Sequence, residues 1–229
     1  YSVALNLGTQ LTAPKVLQKG KYKVLAAGVS KATDGLKELP WVPDELKAIE
    51  DKVPGQVKVL CDDFNTCGIR EFNTETLKEQ IKAQPFDVIH LATHGVFSSS
   101  PDKTFLLASN KRFYLNEMSD LFRHREETRP DIIGLLVLSA CQTAKGDSRA
   151  VLGIAGVSVR TGAMSTVASL FDAVDDSTAI LMSAFYSKLA TPNLTKAEAL
   201  QQAQIDLLNQ EKYQRPQKWA SFVLVGNWL

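Results

Sequence analysis

At 229 residues and 25.1 kDa, the chain is long enough to bury a substantial core, as one α/β domain or as two small ones, and one domain is the simpler reading. A hydrophobic content of 45%, a charged content of 22% and a mean hydropathy of −0.09 describe an ordinary globule and exclude a long apolar membrane span. With 26 basic and 25 acidic residues the net charge is +1, which excludes a bulk electrostatic drive toward nucleic acid or an anionic membrane.

From Tyr1 to Gly20 the sequence mixes apolar and polar positions with little periodicity, so residues 1–20 read as a linking segment from an upstream region. The chain begins at Tyr1 rather than Met, which is expected of a fragment or processed form. No basic-then-apolar leader precedes the fold, and a reducing cytoplasmic setting is the default expectation. Tyr22 to Val29 reads as a first strand, followed by a loop and a helix from about Pro43 to Val53, with Pro near its first turn and Pro54-Gly55 stopping it. Gln56 to Cys61 is a second strand. The polar loop after it holds Cys67; its five-residue spacing from Cys61 is unlike common zinc or redox motifs, and both read as ordinary thiols. Asn73 or Thr74 opens a helix that carries Leu77 and Ile81 on one face and closes before Pro85.

Phe86 to Ala92 is the third strand. It delivers Thr93-His94-Gly95 to a loop whose tip, Ser98 to Pro101, has the composition of an exposed, mobile turn. A hairpin follows, Thr104 to Ala108 and Arg112 to Leu115. Asn116 then caps a short helix with Met118, Leu121 and Phe122, and a charged run from Arg123 to Arg129, holding a solvent-facing His124, ends at Pro130. The stretch from Ile132 to Thr143 contains the fourth strand and delivers Cys141. Beyond a polar loop, Val151 to Thr161 is a helix ended by Gly162, and Met164 to Leu170 is a fifth buried strand. Asp172, Asp175 and Asp176 leave its end and start an amphipathic helix through Ala190, with Ile180, Leu181, Ala184, Phe185 and Leu189 inward. Thr195 and Glu198 form a capping box for a helix to about Gln210, and Trp219 to Val225 is the last strand. Strands alternating with helices imply a mostly parallel sheet covered on both faces.

Two of these strands end abruptly in chemically capable side chains, His94 and Cys141. One crossover separates them, so adjacent parallel strands could present both at the same sheet edge. A nearby imidazole activates a thiol as base or imidazolium partner and later protonates the leaving amine. The Gly95 N–H, with that of Cys141, could hold the oxyanion of a tetrahedral intermediate. Nothing in the sequence marks a residue that orients His94. Taken singly, Cys141 is as readily a buried core thiol and His94 a loop histidine. His90 has no Glu after it as zinc proteases do, and it reads as a satisfied structural side chain.

Six ordered motifs, His90-Leu-Ala-Thr-His-Gly95, Leu138-Ser-Ala-Cys-Gln-Thr143, Thr166 to Asp176, Leu181 to Tyr186, Ala197 to Gln204 and Trp219 to Trp228, together resemble the CHAT domain, a relative of caspases and separases often found after tetratricopeptide repeats. The likeness spans residues 21–229. It implies an α/β, caspase-like three-layer sandwich with a mostly parallel central sheet and helices on both faces. It also implies His94 and Cys141 as catalytic pair, and the caspase spacing, with His about fifty residues before Cys, agrees. Leu170-Phe171 replaces the common Leu-Trp, and Lys145 to Arg149 replaces the usual Gly- and Glu-rich pattern, so substrate preference and loop activation are the properties most open to change.

In separases an acid on the corresponding loop recognises a basic residue before the scissile bond, and by resemblance Asp172 or Asp175 would do so here. The competing reading is helix capping, for which Asp176 is the better choice. Lys145 and Arg149 in the loop after Cys141 suggest self-cleavage during activation. The expectation is therefore a cysteine endopeptidase that needs no cofactor, acts on a protein or peptide, and is regulated by upstream tetratricopeptide repeats or a partner. The rivals are a non-proteolytic interaction module on the same fold, and a different thiol enzyme acting on a small amide.

Overall fold

The computed structural model describes residues 4–5, 17, 22–31, 35–62, 71–98, 100–128, 133–140, 150–170 and 175–229. Its centre is a seven-stranded sheet built from β1 (Ala4–Leu5), β2 (Lys23–Gly28), β3 (Gln56–Cys61), β4 (Val88–Thr93), β8 (Leu135–Ala140), β9 (Ser165–Ser169) and β10 (Phe222–Gly226). The spatial order is β1-β10-β9-β8-β4-β2-β3. The five strands from β9 to β3 run parallel, β10 is antiparallel to β9, and β1 runs parallel to β10. Two residues of the segment that reads as a linker thus extend the sheet.

The inner strands are apolar on both faces because helices cover both. Along β8, Leu135 and Val137 join one core and Leu136 and Leu138 the other, the period-two alternation of a strand. On the first face lie α1 (Val42–Lys52), α5 (Asp175–Leu189) and α6 (Lys196–Leu208), whose Leu46, Ile49, Leu181, Phe185 and Leu200 pack against Val24, Val88 and Val137. On the second lie α2 (Thr74–Ala83), α3 (Leu115–Thr128) and α4 (Ala150–Thr161), through Leu77, Ile81, Met118, Leu121 and Val157. Each such side chain fully removed from water contributes about 1.5–3 kcal/mol. A small second sheet, β5 (Gly95–Val96), β6 (Phe105–Leu107) and β7 (Arg112–Tyr114), is antiparallel throughout.

Local chemistry sets the helix ends. Asn73 and Thr76 form a reciprocal capping box for α2, as Thr195 and Glu198 do for α6, and Gly162, at φ 66°, stops α4. Several boundaries differ from the sequence reading. Asn116 lies inside α3 rather than capping it: the Glu117 carboxylate accepts the Tyr114 N–H at 3.1 Å and closes the turn there, and the helix continues through the charged run to Thr128. The buried face of α5 holds Leu181, Met182, Phe185, Tyr186 and Leu189, with Ile180 and Ala184 only half-buried. Pro216–Trp219 is a helical turn (α7) and the last strand starts later, at Phe222. Ser98, expected at a mobile tip, is buried: its N–H donates to Thr104 Oγ1 at 3.2 Å, and that hydroxyl donates to the Ser98 carbonyl at 3.1 Å.

Cys61, expected as an ordinary thiol, is disulfide-bonded, and Cys67 lies outside the described residues. Such bonds persist mainly in oxidising surroundings, which counts against the reducing compartment expected from the sequence. No helix among the described residues is long and apolar enough to cross a membrane.

Candidate active site

Neighbouring strands β2 and β4 send their chains to opposite faces, β2 into α1 and β4 toward α3. A crevice opens at the carboxyl ends of such a strand pair, and open α/β sheets place their sites there. His94 is the first residue beyond β4, at the carboxyl end of this strand pair, and is 8% exposed.

Its backbone is held from one side by β6. Thr93 Oγ1 donates to the Leu107 carbonyl at 2.6 Å, and the Leu107 N–H donates to the His94 carbonyl at 2.8 Å. Its ring is held from the other side by the loop after β2, where Nε2 stands 2.7 Å from the backbone carbonyl oxygen of Lys37. A carbonyl can only accept, so Nε2 carries a hydrogen, and in the neutral ring that leaves the lone pair on Nδ1. Lys37 supplies the orienting group for which the sequence offered no candidate. No side-chain pattern could have disclosed it, because the group is a main-chain oxygen.

The His94–Leu107 bond also decides what Gly95 can do. It makes the rung before Gly95↔Leu106 a hydrogen-bonded one, so Gly95 occupies a non-bonded rung and its N–H points away from β6. The ladder does not consume that donor.

Strand β8 lies beside β4 in parallel register, with Thr93 opposite Ala140. His94 and Cys141 are the next residues of their respective chains. Cys141 itself lies outside the described residues, as do Asp172, Lys145 and Arg149. Asp175 is the first residue of α5, with its side chain outside the description. Asp176 behaves as an end-of-helix carboxylate: Oδ1 accepts the Ser177 N–H at 2.8 Å, and Lys218 and Lys212 reach the group at 2.6 and 3.3 Å. Partial burial pushes its carboxyl up, but the two lysines and the Ser177 N–H outweigh this and hold it below the usual carboxylate range.

His90 belongs to the first-face core and not to the crevice. It is fully buried, with Nε2 3.0 Å from Glu45 Oε1 on α1 and Nδ1 3.2 Å from the Tyr186 hydroxyl on α5. The His124 side chain lies outside the description. Among the described residues no cluster of His, Cys, Asp and Glu could hold a metal ion.

Several solved structures share this fold. The Arg-specific cysteine proteinase gingipain R superposes with a TM-score of 0.57 at 11% identity, covering 92% of this chain and 46% of that one. The Saccharomyces cerevisiae separase–securin complex gives 0.55 at 12% identity, over 90% of this chain and 12% of the other. The Drosophila initiator caspase Dronc gives 0.52 at 10% identity, over 98% and 92%. The chain thus spans about half of the gingipain chain, and identities this low speak for the fold alone, which is caspase-like. No curated protein matches. The CHAT domain model, by contrast, matches residues 3–227, nearly the whole chain. With a caspase-like sheet and that match end to end, this chain belongs to the CHAT domain family.

Proposed function

We propose that the chain is a cysteine endopeptidase in which Cys141 is the nucleophile and His94 its base. The observation that carries this reading is the His94 ring, fixed through Nε2–H on the Lys37 carbonyl at the end of β4, beside the strand that leads into Cys141. With Nε2 occupied, Nδ1 takes the thiol proton. The thiolate attacks the peptide carbonyl, and the N–H groups of Gly95 and Cys141 stabilise the oxyanion. His94 then protonates the departing amine, and water, deprotonated by the same nitrogen, hydrolyses the thioester. The chemistry requires no cofactor.

A basic residue before the scissile bond fits an acidic pocket formed by Asp172 or Asp175. Asp176 is already engaged by Lys212 and Lys218. The fold neighbour gingipain R is Arg-specific and separase is found in complex with securin, which supports a basic preference and a protein partner; control by upstream tetratricopeptide repeats rests on the family resemblance alone. Self-cleavage at Lys145 or Arg149 belongs to the same reading, and mass spectrometry showing only intact chain with an activator present would remove it.

The test is labelling with a peptidyl electrophile bearing Arg or Lys next to the warhead, comparing wild type, Cys141→Ala and His94→Ala, with the adduct located by mass spectrometry. Modification confined to Cys141 and lost without His94 is the expected result. A Cys141 that reacts no faster than a free thiol, with and without partner, overturns the proposal and leaves a binding module.

A further inference from the structure

Asp62 follows β3 directly and makes an unusual number of bonds to the exit of β2. Its Oδ1 accepts both the Ser30 N–H at 2.8 Å and the Ser30 hydroxyl at 2.9 Å, and its Oδ2 accepts the Lys31 N–H at 2.7 Å. In return Lys31 Nζ donates to the Asp62 carbonyl at 2.8 Å. Ser30 in turn closes the loop that holds His94: its carbonyl accepts the Leu39 N–H at 2.8 Å, two residues beyond the Lys37 carbonyl on which the ring rests. Leu39 is tied onward to α1, its carbonyl accepting the Val42 N–H at 3.1 Å, and it packs against the first-face core.

We propose that Asp62 is a positioning residue for His94, and that it sets the imidazole tautomer through the Ser30–Leu39 loop rather than by touching substrate. This rests on the peptidase reading for its catalytic consequence, though not for its structural one. The far end of the loop has its own anchor in Leu39 and α1, whereas the near end depends on the carboxylate. A carboxylate gripping backbone N–H groups makes charge-assisted bonds about twice as strong as neutral ones. Without it, two N–H groups lose their acceptor, the Ser30 carbonyl loses its fixed direction toward Leu39, and the Lys37 oxygen drifts from Nε2. His94 then redistributes its hydrogen between the two ring nitrogens, and the nitrogen needed as base is only part of the time free. A displacement of about 1 Å in a reacting group costs up to ~100-fold in rate.

The experiment is nitrogen-15 NMR of the three imidazoles in the full chain, with the His94 signals assigned by their loss in His94→Gln. Wild type is expected to show His94 in the Nε2–H form. Asp62→Ala is expected to show a mixture of tautomers, and Asp62→Asn, which keeps an acceptor for Ser30 but turns a donor toward the Lys31 N–H, an intermediate. Glu50→Gln, at an exposed residue of α1 paired with Lys47 among the described residues, is the neutral control. In a peptidase assay Asp62→Ala is expected to lower kcat ~10- to 100-fold with KM within about 3-fold of wild type. An unchanged His94 tautomer in both Asp62 variants, even with lowered thermal stability, overturns the proposal. A wild type that cleaves nothing sinks the peptidase reading instead, while the NMR result still decides the role of Asp62. If Asp62→Ala does not fold, Asp62→Asn alone decides it.

Discussion

His94 Nε2 lies 2.7 Å from the backbone oxygen of Lys37, so the histidine is oriented by the main chain and not by the lysine side chain. Lys37→Ala leaves that oxygen in place and is expected to change kcat/KM by no more than about 2-fold, surface substitutions of this kind being close to neutral. His94→Ala, which removes the proposed base, is expected to lower kcat by ~100-fold or more. Steady-state hydrolysis of a peptide substrate with Arg or Lys before the scissile bond measures both. Near-equal losses in the two variants would contradict the backbone assignment.

Two glycines of α4 are expected to respond in opposite directions to the same substitution. A Cβ at Gly153 would lie 2.6 Å from the Ser98 carbonyl oxygen and 3.0 Å from its carbonyl carbon and nitrogen, main-chain atoms that Thr104 holds in place. Gly153→Ala must therefore push the helix off the loop, at a cost of about 1–3 kcal/mol. A Cβ at Gly156 meets nothing within 4 Å, and Gly156→Ala is expected to stabilise by about 0.5–1 kcal/mol through helix propensity and a less disordered unfolded chain. Urea unfolding of the two variants gives the signs directly.

Six strands of the central sheet were legible because they are short apolar runs with turn signals at both ends, whereas β1, two residues long, read as linker. The capping box at Thr195 was visible for the same reason, being a local pattern, whereas at the other helix the sequence left the start open between Asn73 and Thr74 and the Asn73–Thr76 box went unread. What escaped was the pairing of distant groups. The Lys37 oxygen on His94 and the Asp62 clamp on Ser30 involve partners more than thirty positions apart, with no periodicity to announce them. The α5 face was misjudged at Met182 and Tyr186 because a helix packed on both a sheet and two helices is apolar well beyond one stripe.

Glu45 and His90 form a buried pair whose worth depends on keeping both members. Their atoms lie 3.0 Å apart but off the direction of a true hydrogen bond. Burial first, then Tyr22 and Glu45 nearby, hold the Tyr186 phenol well above its ordinary range, keeping it a neutral partner for the His90 ring. Glu45→Ala strands the imidazole and is expected to cost about 3 kcal/mol. Glu45→Met with His90→Leu removes both polar groups at similar volume and is expected to cost less than Glu45→Ala alone. Tyr186→Phe is expected to cost about 1 kcal/mol. Denaturant unfolding of the four proteins checks the ordering, and a double variant worse than Glu45→Ala would show that the pair stabilises the fold outright.

Lys196 opens α6 with its ammonium buried and without a hydrogen-bond partner among the described residues. Burial pulls its pKa down to about 8. A lysine depressed in the folded state binds its proton less tightly there than in the unfolded chain, whose ordinary value is about 10.4. Between those two values the unfolded state carries more protons, so this group's contribution to stability rises with pH across the window from about 8 to 10.4 and is at its most unfavourable below it. Lys196→Met keeps the packing stem and removes the charge. At pH 7 it is expected to stabilise the protein by about 2–3 kcal/mol. The gain should shrink steadily as pH is raised from 8 to 10, the comparison with wild type cancelling the titration of every other group. Unfolding curves of both proteins at pH 7, 8.5 and 10 measure it; a gain independent of pH would mean that Lys196 finds a counter-charge in the folded chain.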